Sequence, residues 1–172
     1  MVKGFETHNF SNKGLKKFKS KSLFFQYLRY LVFIITITNL VFIGTVAIHE
    51  FGHFITSKYY DCETSKIIYE EDMPYTEALC KDSKNQIIFL LSGVLFPIVL
   101  AILLFGIGGI FIRDISILIF GFNLIASFRD FRELGLSDNI VVMLLIGGVI
   151  LLFIGIVLLA KSRVEEYSIF AA

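Results

Sequence analysis

Long uncharged stretches alternate with short polar segments along the chain. The four longest uncharged stretches hold 19, 28, 14 and 22 residues. A helix needs about 20 apolar residues to cross the hydrocarbon core of a bilayer, with a range of about 17–25. The pattern therefore predicts an all-α integral membrane protein with about four transmembrane helices, the third of them short or broken. The predicted spans are residues 29–58, 86–112, 115–128 and 139–160.

The composition agrees with this prediction. Apolar and aromatic residues make up 56% of the 172 residues, and charged residues make up 18%. Soluble domains contain about 45–50% apolar and about 25% charged residues, so a soluble or disordered chain is excluded. The net charge of +1 gives no signal for nucleic-acid binding. We expect a lipid bilayer as partner and no nucleic acid, and the oligomeric state stays open.

The distribution of basic residues predicts an orientation in the membrane. The first 29 residues carry seven lysines and arginines but one acidic residue, Glu6. Basic residues concentrate on the cytoplasmic side of membrane proteins, so residues 1–28 are interpreted as a basic cytoplasmic tail. The C-terminal tail, residues 161–172, begins with Lys161 and also carries Arg163. We therefore expect an integral protein of the cell membrane with both termini in the cytoplasm.

One sizeable polar segment, residues 59–84, follows the first span and carries seven acidic and three basic residues. Within it, residues 65–70 form a β-prone run that ends before a turn-like sequence at 71–74. A small β-hairpin is one interpretation of this segment. It also contains the two cysteines of the chain, Cys62 and Cys80. The sequence leaves open whether they form a disulfide or remain two free thiols.

The first span runs into a motif with metal-binding chemistry, His49-Glu50-Phe51-Gly52-His53. Residues four apart share one face of a helix, so His49 and His53 can present their imidazoles to one zinc ion. Glu50 borders the same face and is the candidate general base for water at that ion. Ionisable residues inside a membrane helix are rare and indicate function. We therefore interpret the motif as a catalytic site rather than as contacts to lipid headgroups.

A catalytic zinc site needs a third protein ligand and an open position. The remaining histidine, His8, lies in the N-terminal tail, so the third ligand should be a carboxylate. The alternating spans bring the C-terminal end of the third helix to the depth of the two histidines. Three acidic residues follow that end, namely Asp130, Glu133 and Asp138. We predict that at least one of them binds the metal.

The motif and the residues after it resemble the active-site helix of the site-2 protease family, the intramembrane zinc metalloproteases. Ser92–Pro97 resembles the family's small-residue segment in the second span. Asn123-Leu124-Ile125 resembles the start of the family's Asn-x-x-Pro motif, which leads to Asp-Gly. The chain departs from this pattern because Ala126 stands in place of the proline, and neither Asp130 nor Asp138 precedes a glycine.

The resemblance covers residues 30–160 and implies a membrane metalloprotease core over residues 29–160, in a minimal form without a PDZ domain. It implies one zinc ion bound by His49, His53 and an aspartate, for which Asp138 is preferred and Asp130 is the alternate. Glu50 would be the catalytic residue.

The resemblance also implies the substrate, which is a transmembrane segment of another membrane protein, cut in or near the bilayer. By the same resemblance, Asn123 would bind the substrate backbone or the oxyanion. A hydrogen bond between helices is the alternative role for this asparagine.

Two other functions fit parts of the sequence. A non-catalytic membrane scaffold or partner-binding protein could use the same fold with a structural metal. Such a site needs no base, so the presence of Glu50 favours the protease. A membrane-anchored enzyme that cuts soluble peptides would need a larger polar domain than residues 59–84 provide.

Overall fold

The computed structural model describes residues 12–69 and 74–170, with side chains over 24–63, at 76 and over 78–162. The chain divides into two compact units, Met1–Thr36 and Ile37–Ala172. In the first unit the described residues are helical, and large apolar side chains such as Phe24 and Phe25 are exposed. All the candidate site residues lie in the second unit.

The described residues form five helices and one two-stranded hairpin. In chain order these are α1 (Asn12–Tyr59), β1 (Glu63–Tyr69), β2 (Pro74–Leu79), α2 (Ser83–Ile107), α3 (Ile110–Ala126), α4 (Phe128–Glu133) and α5 (Asp138–Phe170). Among the described residues, three segments are long and apolar enough to cross a membrane. They are Phe24–Tyr59, Ser83–Ile107 and Asp138–Ser162, and they overlap the first, second and fourth predicted spans.

The predicted boundary between the second and third spans is wrong. The charged residues Arg113 and Asp114 were expected to separate two helices, but both lie inside α3. The break falls earlier, at Gly108 and Gly109, where the backbone is extended. A side chain at Gly108 would collide with the side chain of Ile112 and lie 2.6 Å from the carbonyl oxygen of Leu104. The boundary therefore lies at the extended backbone of these two glycines and not at the charged pair.

Helix α3 is short, and one side of it is buried in the second unit. Its 17 residues correspond to about 25 Å at 1.5 Å per residue. It packs against both α2 and α5, and Leu118 is fully buried. Gly121 of α3 faces Gly148 of α5 so closely that a Cβ on either would lie 2.9 Å from the other's carbonyl oxygen. Small residues at such crossings let two helix backbones approach each other.

The short helix α4 begins directly after a break at Ser127. Its Phe131 is buried in an apolar cluster with Val94 of α2 and Val141 of α5. The helix ends near Gly135, which adopts a left-handed conformation with φ of 80°. The cluster fixes the orientation of α4, and therefore the position of the neighbouring Asp130.

The polar segment after α1 contains an antiparallel hairpin in which Ile67 of β1 faces Thr76 of β2. A disulfide between Cys62 and Cys80 closes the open end of this hairpin. The side chain of Ala78 is buried against Phe89 and Leu90 of α2. The pairing that the sequence left open is therefore present, and β2 is attached to the helical part of the second unit.

Candidate metal centre

The two histidines of the motif lie on one face of α1, as the spacing predicted. Their Nε2 atoms are 3.1 Å apart, and each residue is only 3% exposed. Burial of two imidazoles without compensating partners is unfavourable. Their convergence inside the protein therefore calls for a third group that interacts with both rings.

That group is the carboxylate of Asp130. Its Oδ2 lies 3.0 Å from Nε2 of His49 and 3.4 Å from Nε2 of His53. In a tetrahedral site with metal–ligand distances of about 2.0–2.1 Å, neighbouring ligand atoms are roughly 3.3 Å apart. His49, His53 and Asp130 are thus spaced as three ligands of one metal ion would be, and they form a group that could hold such an ion.

The preference for Asp138 as third ligand is corrected by the structure. The Asp138 side chain is 80% exposed, and its Oδ1 lies 3.3 Å from Nη2 of Arg132. It stands at the first turn of α5, where a negative charge interacts favourably with the helix dipole. The alternate, Asp130, is the aspartate beside the histidines, and Glu133 instead pairs with Arg129.

Backbone and side-chain groups orient the two imidazoles. Nδ1 of His53 lies 2.8 Å from the carbonyl oxygen of Phe89, to which it can donate its proton. Nδ1 of His49 is 3.5 Å from both Oδ1 of Asn123 and Oγ of Ser127. Acceptor oxygens beside Nδ1 keep the ring proton on that nitrogen and leave the Nε2 lone pair for a metal, which is the usual arrangement around ligating histidines.

Asn123 is completely buried between α2 and His49. Its Nδ2 donates a hydrogen bond of 2.9 Å to the carbonyl oxygen of Val94 in α2. The observed contact is therefore a hydrogen bond between helices, which was the alternative role for this asparagine. Binding of a substrate backbone or an oxyanion by Asn123 stays a prediction.

Two observations show that the site fits a metal ion. Among the described residues, Asp130 Oδ2 is a buried polar atom that receives no hydrogen bond, despite its closeness to the two ring nitrogens. Buried carboxylate oxygens rarely lack a partner. Second, the absence of a side chain at Gly93 of α2 lets the His53 imidazole take this position, since a Cβ there would collide with Nε2. The donor set of two imidazoles and one carboxylate suits zinc.

The neighbouring glycine of the motif has a different role. A Cβ at Gly52 would lie 2.7 Å from the carbonyl oxygen of Ser92 in α2. The structure shows close packing of α1 against α2 at this position.

Glu50 is held by a residue that the sequence analysis did not identify. The backbone N–H of Thr76 in β2 donates a hydrogen bond of 2.6 Å to Oε2 of Glu50. The Thr76 hydroxyl donates a longer one, of 3.3 Å, to the backbone carbonyl of Glu50. A main-chain donor leaves no signature in residue type, so no sequence pattern could have revealed this contact.

Comparison with known proteins adds no further assignment. No protein-family model, curated protein or solved structure matches the chain. The interpretation of the site therefore depends on its own geometry and on its motif.

Proposed function

We propose that the chain is an intramembrane zinc metalloprotease in which His49, His53 and Asp130 bind the ion and Glu50 is the general base. The observation that supports this most strongly is the convergence of Nε2, Nε2 and Oδ2 within 3.0–3.4 Å of one another. The motif places an additional carboxylate next to these three groups, and its resemblance to the site-2 protease family supports the same function.

The reaction is hydrolysis of a peptide bond. Zinc supplies Lewis acidity, which polarises a carbonyl group and acidifies water. Glu50 takes a proton from the attacking water while the water oxygen bonds to the carbonyl carbon. When the C–N bond breaks, Glu50 delivers that proton to the leaving nitrogen. His49, His53 and Asp130 keep their positions through these steps because the surrounding helices orient them.

The substrate we propose is a transmembrane segment of another membrane protein. The two histidines lie in the last third of the candidate span Phe24–Tyr59, so the reaction takes place in or near the bilayer. The termini would lie in the cytoplasm and the hairpin on the opposite side. The Cys62–Cys80 disulfide supports this orientation, because disulfides persist on the oxidising side of a membrane. Helix α3 would be a fourth, short crossing.

One observation favours a second candidate, a non-catalytic membrane protein with a structural metal. The hydrogen bond from Thr76 gives Glu50 a possible task in holding the hairpin to α1. In that case Glu50 would be needed for the fold and not for chemistry.

The experiment compares the wild type with Glu50→Gln, both purified in detergent with zinc. The probes are a dye-quenched casein and a dye-quenched transmembrane peptide in nanodiscs. We expect equal zinc content and a loss of cleavage of at least about a hundredfold, since general bases contribute roughly 10²–10⁴ to rate. Equal cleavage by both proteins would contradict the protease proposal. Zinc binding without cleavage of either probe by the wild type would support the structural-metal candidate instead.

A further inference from the structure

Strand β2 contacts α1 directly at the candidate general base. Both hydrogen bonds between them involve one residue of the strand, Thr76, and one of the helix, Glu50. The bond of the backbone N–H to the carboxylate is the shorter of the two. A hydrogen bond to an ionised acceptor is roughly twice as strong as one between neutral groups, so this bond is the main connection.

The geometry of the hairpin makes the Thr76 amide available for this contact. In an antiparallel pair the N–H groups of successive residues point alternately toward the partner strand and away from it. Thr76 faces Ile67 in the register, but its N–H points to α1 and not to β1. The outer edge of β2 therefore carries the donor, and the pairing with β1 does not depend on it.

Two features attach β2 near the histidines. Ala78 packs against Phe89, and the carbonyl oxygen of the same Phe89 lies 2.8 Å from Nδ1 of His53. The Cys62–Cys80 disulfide closes the loop that carries the strand. The Thr76 amide is thus held in place by packing and by a covalent link outside the Glu50 contact.

We propose that Thr76 is a positioning residue for Glu50, an inference that rests on the proposed function. The backbone N–H of Thr76 donates its hydrogen bond to Oε2 of Glu50. This leaves Oε1 as the oxygen that takes the proton from water. A glutamate side chain has three rotatable bonds, and a fixed donor reduces the rotamers it samples. Correct orientation of a catalytic group contributes substantially to rate. The contribution comes from the main chain, so any residue except proline could make it.

The experiment uses two substitutions at the same position of the full chain. Thr76→Pro removes the N–H, and proline is tolerated on an outer strand edge. Thr76→Val keeps the N–H and loses the hydroxyl. With the dye-quenched transmembrane peptide as probe, we expect kcat of Thr76→Pro to be about tenfold or more below that of Thr76→Val. The KM and the zinc content should be similar in the two variants.

A second measurement does not depend on activity or on the proline variant. Hydrogen exchange of the Thr76 amide should be slow in the wild type and in Glu50→Gln, which retains an acceptor oxygen. It should be at least tenfold faster in Glu50→Ala. Equal exchange in all three proteins would overturn the inference, as would equal or higher kcat for Thr76→Pro. If Glu50→Gln cleaves as fast as the wild type, the proposed function fails. If Glu50→Gln loses cleavage but Thr76→Pro and Thr76→Val have equal kcat, the proposed function stands and the positioning role fails.

Discussion

Asp130 Oδ2 lies 3.0 Å from His49 Nε2, a contact that joins the short helix α4 to the long helix α1. The two residues come from distant parts of the sequence. The same Oδ2 atom lies 3.4 Å from Nε2 of His53. A carboxylate in this position completes a group of three side chains that could hold a metal ion. Its removal therefore provides the most direct test of the site.

We expect Asp130→Ala to lower zinc affinity by at least about a hundredfold, more than the loss of an outer-shell partner, which typically costs 10–100-fold. Asp138→Ala is the matched control. It removes an exposed carboxylate at the start of α5 and should cost about 0.5 kcal/mol of stability through the helix dipole. Zinc titration of both proteins with a competing chelator checks the prediction. Equal affinity, or a larger loss in Asp138→Ala, would contradict the assignment.

Gly93→Ala should damage the site although it changes no candidate ligand. The new Cβ would overlap the imidazole of His53. The ring must move, and overpacking of this kind costs about 1–3 kcal/mol. Gly147→Ala in α5 is the control, because nothing lies within 4 Å of a Cβ there. Gly93→Ala should contain less zinc and unfold at a lower temperature than Gly147→Ala. Unchanged zinc binding by Gly93→Ala would show that His53 does not need this space.

Asn123→Ala distinguishes the two roles of this asparagine. If it orients His49 and ties α3 to Val94, zinc affinity should fall by about 10–100-fold. If it binds substrate, KM for the dye-quenched transmembrane peptide should rise while zinc affinity stays constant. Ser116→Ala is a suitable control because Ser116 is also fully buried in α3 and its hydroxyl bonds to Ile112 of the same helix.

The disulfide gives a test of orientation. Cys62 and Cys80 should resist alkylation in intact cells until a reductant is added. Their replacement by serine should destabilise the protein, because a cross-link over 18 residues restricts the unfolded chain by about 3 kcal/mol. Mass spectrometry after alkylation with and without reduction measures the first effect, and thermal unfolding measures the second. Ready alkylation without reductant would place this segment on the reducing side.

The sequence predicted those parts of the site that depend on local geometry. His49 and His53 are separated by one helical turn, so their common face follows from the helix alone. Three of the four predicted spans overlap long apolar helices for a similar reason, since length and hydrophobicity are properties of a continuous segment.

The remaining features depend on contacts between segments. Asp130 reaches the histidines because α3 breaks at Ser127 and because Phe131 is buried beside α2 and α5. Spacing in the sequence could not separate it from Asp138. Helix α2 ends at Gly108, where the backbone is extended, whereas the predicted spans placed the boundary at the charged residues Arg113 and Asp114. Thr76 acts through its main chain, which every residue type except proline shares.

The length of α3 has a consequence for the supply of water. Its 17 residues span about 25 Å, whereas the hydrocarbon core of a bilayer is about 30 Å thick. A helix shorter than the bilayer is accommodated by thinning of the surrounding lipid. In a membrane, such thinning would draw the aqueous boundary toward Asn123 near the end of this helix and toward Asp130 in the helix α4 that follows. Water, the second reactant of a hydrolysis, would then reach the site from the membrane surface over a short distance, without a long channel through the protein.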